Sequence, residues 1–99
     1  MKDVDDQFFT RADAVINLSN EQISEKINVG MVSASSMFAV SRFNAWLSSR
    51  NWNTAEEMAA GKQEAIDYFL KEYRGMLEEN LDDYISNFDK YLEMSKKKT

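Results

Sequence analysis

The feature that most constrains this chain is an absence: its ninety-nine residues contain no proline and only three glycines, Gly30, Gly61 and Gly75. Strand-rich folds need frequent tight turns, and these two residues supply most of them. A chain almost free of both is expected to run in a few long helices. At 43% hydrophobic and 29% charged it has enough apolar side chains for a core, which argues against a disordered chain. The core is modest, because a single domain of this length buries only about 60–70% of its unfolded surface.

Periodicity divides the chain into three helical runs. The first is expected from near Asp3 or Asp5 to about Lys26, with acids at positions 3, 5 and 6 suited to a helix N-terminus. Phe8, Ala12, Val15, Ile16 and Ile23 follow the 3.6-residue rhythm, widened by Phe9 and Leu18. Asn28-Val29-Gly30 reads as the exit turn, with Gly30 free to take the left-handed conformation. The second run is expected after Ser33 and to end near Asn51. Val40, Phe43 and Leu47 form one face, Ala39 and Trp46 extend it, and Phe38 and Ala45 lie nearly opposite. Only Arg42 and Arg50 are charged between positions 33 and 50. A helix apolar almost all round is a buried one, so this run is either the centre of the fold or faces a core on one side and a partner on the other.

Asn51-Trp52-Asn53 is expected as the second turn, with Trp52 a lid on the core. Thr54-Ala55-Glu56-Glu57 fits the capping box, in which Thr54 and Glu57 satisfy each other's backbone amides. The helix it opens carries Met58, Ile66, Leu70, Tyr73, Leu77, Leu81, Ile85, Phe88 and Leu92 at helical spacing, and no proline stops it. At 1.5 Å per residue the first two helices span roughly 35 and 27 Å, and a third over 55–94 about 60 Å. Its far half holds a clean apolar stripe of Leu81, Tyr84, Ile85, Phe88, Tyr91 and Leu92. Either the chain bends near Gly75–Asn80 and folds back as a fourth helix, or the helix stays straight and packs on a second subunit. A straight helix and a homodimer are the favoured expectation, since one glycine inside a helix costs only about 1 kcal/mol. The fold class expected is all-α, a bundle of three helices with a long third, as one domain over 1–99.

The chemistry-bearing side chains are sparse. The chain has no histidine and no cysteine, and so lacks the commonest general base, the strongest nucleophile, disulfides and thiolate metal sites. Asp5/Asp6, Glu56/Glu57, Glu78/Glu79 and Asp82/Asp83 are adjacent in sequence, so the members of each pair diverge by about 100° on a helix and share a proton poorly. They read as solvated acids. Asp3-Val4-Asp5-Asp6 lacks the glycine and terminal glutamate of a calcium-binding loop. No enzyme activity, metal or cofactor is expected.

The net charge of −5 is uneven: residues 1–26 carry −3, residues 27–55 hold no acid and carry +2, and residues 56–99 carry −4. Nucleic-acid binders show a basic stripe; here the dense basic cluster is Lys96-Lys97-Lys98, which suits the negative end of a helix. The N-terminal residues have no apolar stretch resembling a secretory signal, and no 18-residue apolar run is present. A cytoplasmic protein with no nucleic-acid or membrane partner is expected. The most unusual stretch is Ser41-Arg42-Phe43-Asn44-Ala45-Trp46. Its plainer reading pairs Arg42 with an acid of the first or third helix and has Asn44 cap or bridge a turn; its functional reading is a small-ligand pocket lined by Arg42, Asn44 and Trp46.

The opening Asp3-Val4-Asp5-Asp6-Gln7-Phe8-Phe9, the stretch from Val32-Ser33-Ala34-Ser35 through Arg42-Phe43-Asn44-Ala45-Trp46, and the tail from Met76-Leu77-Glu78-Glu79-Asn80 to Leu81-Asp82-Asp83-Tyr84 together resemble a family of short bacterial proteins catalogued as a domain of unknown function. The resemblance covers nearly the whole chain. It implies a bacterial origin and a stand-alone protein, and it brings no activity, cofactor or catalytic residue. The functional expectation is a non-enzymatic protein–protein interaction or self-associating protein, with Leu81, Tyr84, Ile85, Phe88 and Leu92 as its surface. The alternative is a small-ligand domain at Arg42, Asn44 and Trp46.

Overall fold

The computed structural model describes residues 4–97, with side chains from 4 to 94, as helices and connecting turns with no strand among them. The helices are α1 (Phe8–Glu21), α2 (Val29–Ser49), α3 (Ala55–Ala60), α4 (Lys62–Ser86) and α5 (Phe88–Lys97). The all-helical expectation holds, but three helices become five. The chain divides into two units, Met1–Met58 and Ala59–Thr99. The expectations for Asp3 and for the lysine cluster's side chains lie outside the described residues.

In the first unit, α1 is shorter at both ends than the periodicity suggests. Asp5 sits just ahead of it: its carboxylate accepts from the Gln7 amide at 3.0 Å and from both terminal nitrogens of Arg11, at 3.1 and 2.7 Å. Asp5 therefore organises the turn that leads into the helix. At the other end, Gln22 and Ile23 donate to the carbonyls of Ser19 and Asn20, three residues back, which tightens the last turn. Ser24 then closes a small loop: its amide donates to the Ile27 carbonyl at 3.0 Å and its hydroxyl accepts from the Ile27 amide at 3.2 Å. A serine whose amide and hydroxyl both engage the backbone three residues ahead competes with helix propagation, and α1 stops short of Lys26.

Asn28 corrects the expected start of α2. It is the N-cap, with its side-chain oxygen accepting from the Met31 amide at 2.9 Å. The helix begins at Val29 rather than after Ser33. Gly30 is helical, not left-handed, as no described glycine has positive φ. Its role is spatial, since a Cβ there would lie 3.3 Å from the capping oxygen of Asn28. Inside α2, Ser35, Ser41 and Ser49 each donate to the carbonyl three residues back, so their hydroxyls are satisfied without a tertiary partner.

Thr54 and Glu57 open α3 almost as expected. The Glu57 amide donates to the Thr54 hydroxyl at 3.1 Å, but the Glu57 carboxylate takes the Asn53 amide at 2.9 Å instead of that of Thr54. The long third helix is interrupted at Gly61 and at Asn87, not at Gly75–Asn80; Gly75 and Asn80 lie inside α4. In the second unit α4 and α5 remain linked by helical bonds, the Asn87 amide to the Asp83 carbonyl and the Tyr91 amide to the Asn87 carbonyl, both at 3.0 Å. The joint at Asn87 is therefore a local interruption and not a reversal.

Candidate functional site

Val32 is the one buried hydrophobic residue among those described, at 4% exposure. It lies on the side of α2 that meets α1 close to the turn, where the hydroxyls of Ser19 and Ser36 are 3.2 Å apart. Further from the turn, Val15 on α1 and Phe43 and Leu47 on α2 are exposed. So are Phe38, on the opposite side of α2, and, to a lesser degree, Trp52 at 38%. The first unit thus offers apolar side chains on both sides of α2. Fully burying a side chain of this size is worth about 1.5–3 kcal/mol, a gain that these residues forgo while exposed.

The three residues expected to line a pocket separate into two groups. Arg42 and Trp46 are one turn apart on the same side of α2, whereas Asn44 lies about 160° round the helix from each and is half-buried. Trp46 is the centre of a different cluster. The Phe43 ring lies 5.4 Å from it, tilted by 49°, and the Arg50 guanidinium stands 5.3 Å over the indole, within cation–π range. Arg42 makes no ion pair among the described residues, where the carboxylate–cation contacts are Asp5–Arg11 and Arg74–Glu78. Phe38, Arg42, Trp46 and Arg50 follow one another at intervals of four, forming a ridge of alternating aromatic and cationic side chains. Spacing alone carried that ridge, but weighing the stretch from 41 to 46 as a pocket cut it short at both ends.

The expected interaction residues stand together in the second unit. Leu81, Tyr84, Ile85, Phe88 and Leu92 are all exposed, Ile85 the most at 72%. Three polar contacts hold their segment across the joint. Asp83 accepts from the Tyr91 hydroxyl at 2.7 Å and from the Asn87 side-chain amide at 3.0 Å, and that amide also reaches the Asp83 carbonyl at 3.1 Å. Tyr84 and Tyr91 stack with centroids 4.2 Å apart. The Asp83 hydrogen bond, followed by desolvation and the Asp83 charge, raises the pKa of the Tyr91 hydroxyl above its ordinary value of 10.0. This cluster was missed in sequence, although an asparagine four residues after an aspartate and just before an apolar residue is a usable sign of a helix restart.

No group of three or more His, Cys, Asp or Glu residues is placed to hold a metal ion among the described residues, and no helix there is long and apolar enough to cross a membrane. What the arrangement offers chemically is contact: apolar surface, aromatic rings and two arginines. Residues 8–85 match the family described as "Protein of unknown function (DUF3144)". The chain belongs to the DUF3144 family. The resemblance seen in the sequence is to this group. The DUF3144 chain is also similar to the protein NB7890A from Shewanella sp, solved by NMR, at 44% identity and a TM-score of 0.74, over 91% of this chain and 95% of that one. No curated protein matches it. Neither likeness brings an activity, so the function of the DUF3144 chain is unknown.

Proposed function

We propose that this chain is a non-enzymatic helical protein that self-associates, most simply as a homodimer, in the bacterial cytoplasm. The observation that carries the reading is the exposed stripe of Leu81, Tyr84, Ile85, Phe88 and Leu92, a contiguous apolar surface of the kind that marks interaction sites. A second copy offers a cover of matching chemistry, since its first unit presents exposed Phe38, Phe43 and Trp46. The lack of histidine and cysteine supports the non-enzymatic part, and the Shewanella relative supports the bacterial setting. A small-ligand site at Arg42, Asn44 and Trp46 has less support, because Asn44 projects away from the other two.

Sedimentation equilibrium over a hundredfold range of concentration tests the reading. A mass rising toward twice the 11.5 kDa chain mass is expected. A mass that stays at 11.5 kDa throughout overturns it.

A further inference from the structure

We infer that the Phe38–Arg42–Trp46–Arg50 ridge of α2 is one half of the self-association surface, and that it docks on the stripe-bearing side of α4 in a second copy, where Glu78 and Asp82 adjoin Ile85. The inference rests on the self-association reading above and adds which surfaces meet. Three observations carry it. The ridge joins exposed Phe38 and Trp46 to two arginines, and among the described residues its electrostatic contact is Arg50 over the indole. Trp and Arg are the residue types that dominate binding energy at protein interfaces. The segment 27–55 around it contains no carboxylate, whereas α4 carries seven against three cations. The charge pattern therefore selects an acidic helix as occupant, and the chain supplies one itself.

A second copy also makes the contact reciprocal. In a two-fold pair, the ridge of each copy meets α4 of the other, so one weak contact counts twice. The alternative dimer, in which the 81–92 stripes face each other, brings like charges together, since that segment holds three acids and one lysine. The two arrangements respond to salt with opposite sign. Screening weakens an attraction between unlike surfaces and relieves a repulsion between like ones.

The wild-type dissociation constant is measured by sedimentation at 0.05 and 0.5 M NaCl, which needs no variant that risks misfolding. Docking of the ridge on α4 predicts a dimer weakened by about tenfold or more at the higher salt. Arg42→Glu/Arg50→Glu should be monomeric at concentrations where the wild type is dimeric. Lys26→Glu/Lys96→Glu, which changes net charge by the same amount outside α2 and α4, should remain dimeric. Mixing Arg42→Glu/Arg50→Glu with Glu78→Lys/Asp82→Lys should restore a heterodimer. A wild-type chain that is monomeric at both salts overturns self-association itself. A dimer that tightens with salt and is indifferent to Arg42→Glu/Arg50→Glu overturns only the ridge, leaving another face as the interface. A dimer unaffected by salt whose melting temperature alone falls in Arg42→Glu/Arg50→Glu assigns the arginines a contact within one chain, and overturns the proposal.

Discussion

The Tyr91 hydroxyl donates to the Asp83 carboxylate at 2.7 Å, across the residue at which α4 gives way to α5. The bond spans eight residues and ties α5 to the last turn of α4. Because the hydrogen bond favours the neutral phenol, the Tyr91 pKa is raised above 10.0. A raised folded-state pKa means the stabilisation is complete below the ordinary tyrosine value and is lost as pH rises through the folded one. The joint should therefore hold at neutral pH and loosen only above about pH 10. Asp83→Asn should bring the Tyr91 titration, followed by ultraviolet absorbance, back toward the ordinary value, with faster amide exchange over 88–94. An unchanged titration in Asp83→Asn would remove this bond from the account of the joint.

At the other end of the chain, Asp5 accepts two hydrogen bonds from Arg11. They, followed by the Gln7 amide, hold its pKa down at about 2 from an ordinary 3.8. For a depressed carboxylate the stabilisation is present above the unfolded-state value and disappears as pH falls through the folded one. The turn before α1 should survive to pH 4 and come apart toward pH 2. Carbon-detected NMR titration of Asp5 checks this, and Arg11→Ala should return its midpoint to the ordinary carboxylate range.

Asn28 caps α2 through its side-chain oxygen, so Asn28→Ala leaves the Met31 amide without its acceptor. Removing an N-cap of this type costs about 1 kcal/mol. Urea denaturation should show a lower midpoint with an unchanged slope. Asn28→Ser should recover most of the loss, because a serine hydroxyl accepts the same bond.

Gly75 lies in the middle of α4, and a Cβ built there meets nothing within 4 Å. Its φ is in the ordinary negative range. Gly75→Ala should therefore raise stability by about 0.5–1 kcal/mol through helix propensity and reduced unfolded-chain freedom, seen as a higher thermal midpoint. A loss would mean that this side of α4 is closely packed in the assembled protein.

The helices were legible because the signals for them are local: hydrophobic spacing, the Thr54–Glu57 cap and the missing prolines. Their boundaries depended on which of several capable side chains captured each backbone group. Asn28 reads equally as the end of one helix or the cap of the next, and only the bond to the Met31 amide decides it. Glycine 75 and Asn80 looked like natural break points, yet a glycine costs too little to end a helix when the ladder on both sides is intact. The interruption lies at Asn87, where the side chain bonds back to Asp83 and competes with the helix. The exposed stripe was legible as a pattern. Which surface covers it was not, since apolar spacing carries no record of its partner.

Ile85 gives the sharpest test of that cover. It is 72% exposed and sits at the centre of the stripe, so in an isolated chain Ile85→Asp exchanges one surface side chain for another. Such a change should move the unfolding free energy by no more than about 0.5 kcal/mol. In a self-associated protein the same substitution places a charge where an apolar side chain was buried, at a cost of at least about 1.5 kcal/mol per copy. That is roughly a tenfold rise in the dissociation constant for each copy of the site in the interface. The expected result is a protein whose helical circular dichroism at high dilution matches the wild type and whose sedimentation shows a dimer weakened by one to two orders of magnitude. Equal dimerisation of wild type and Ile85→Asp would take the 81–92 stripe out of the interface.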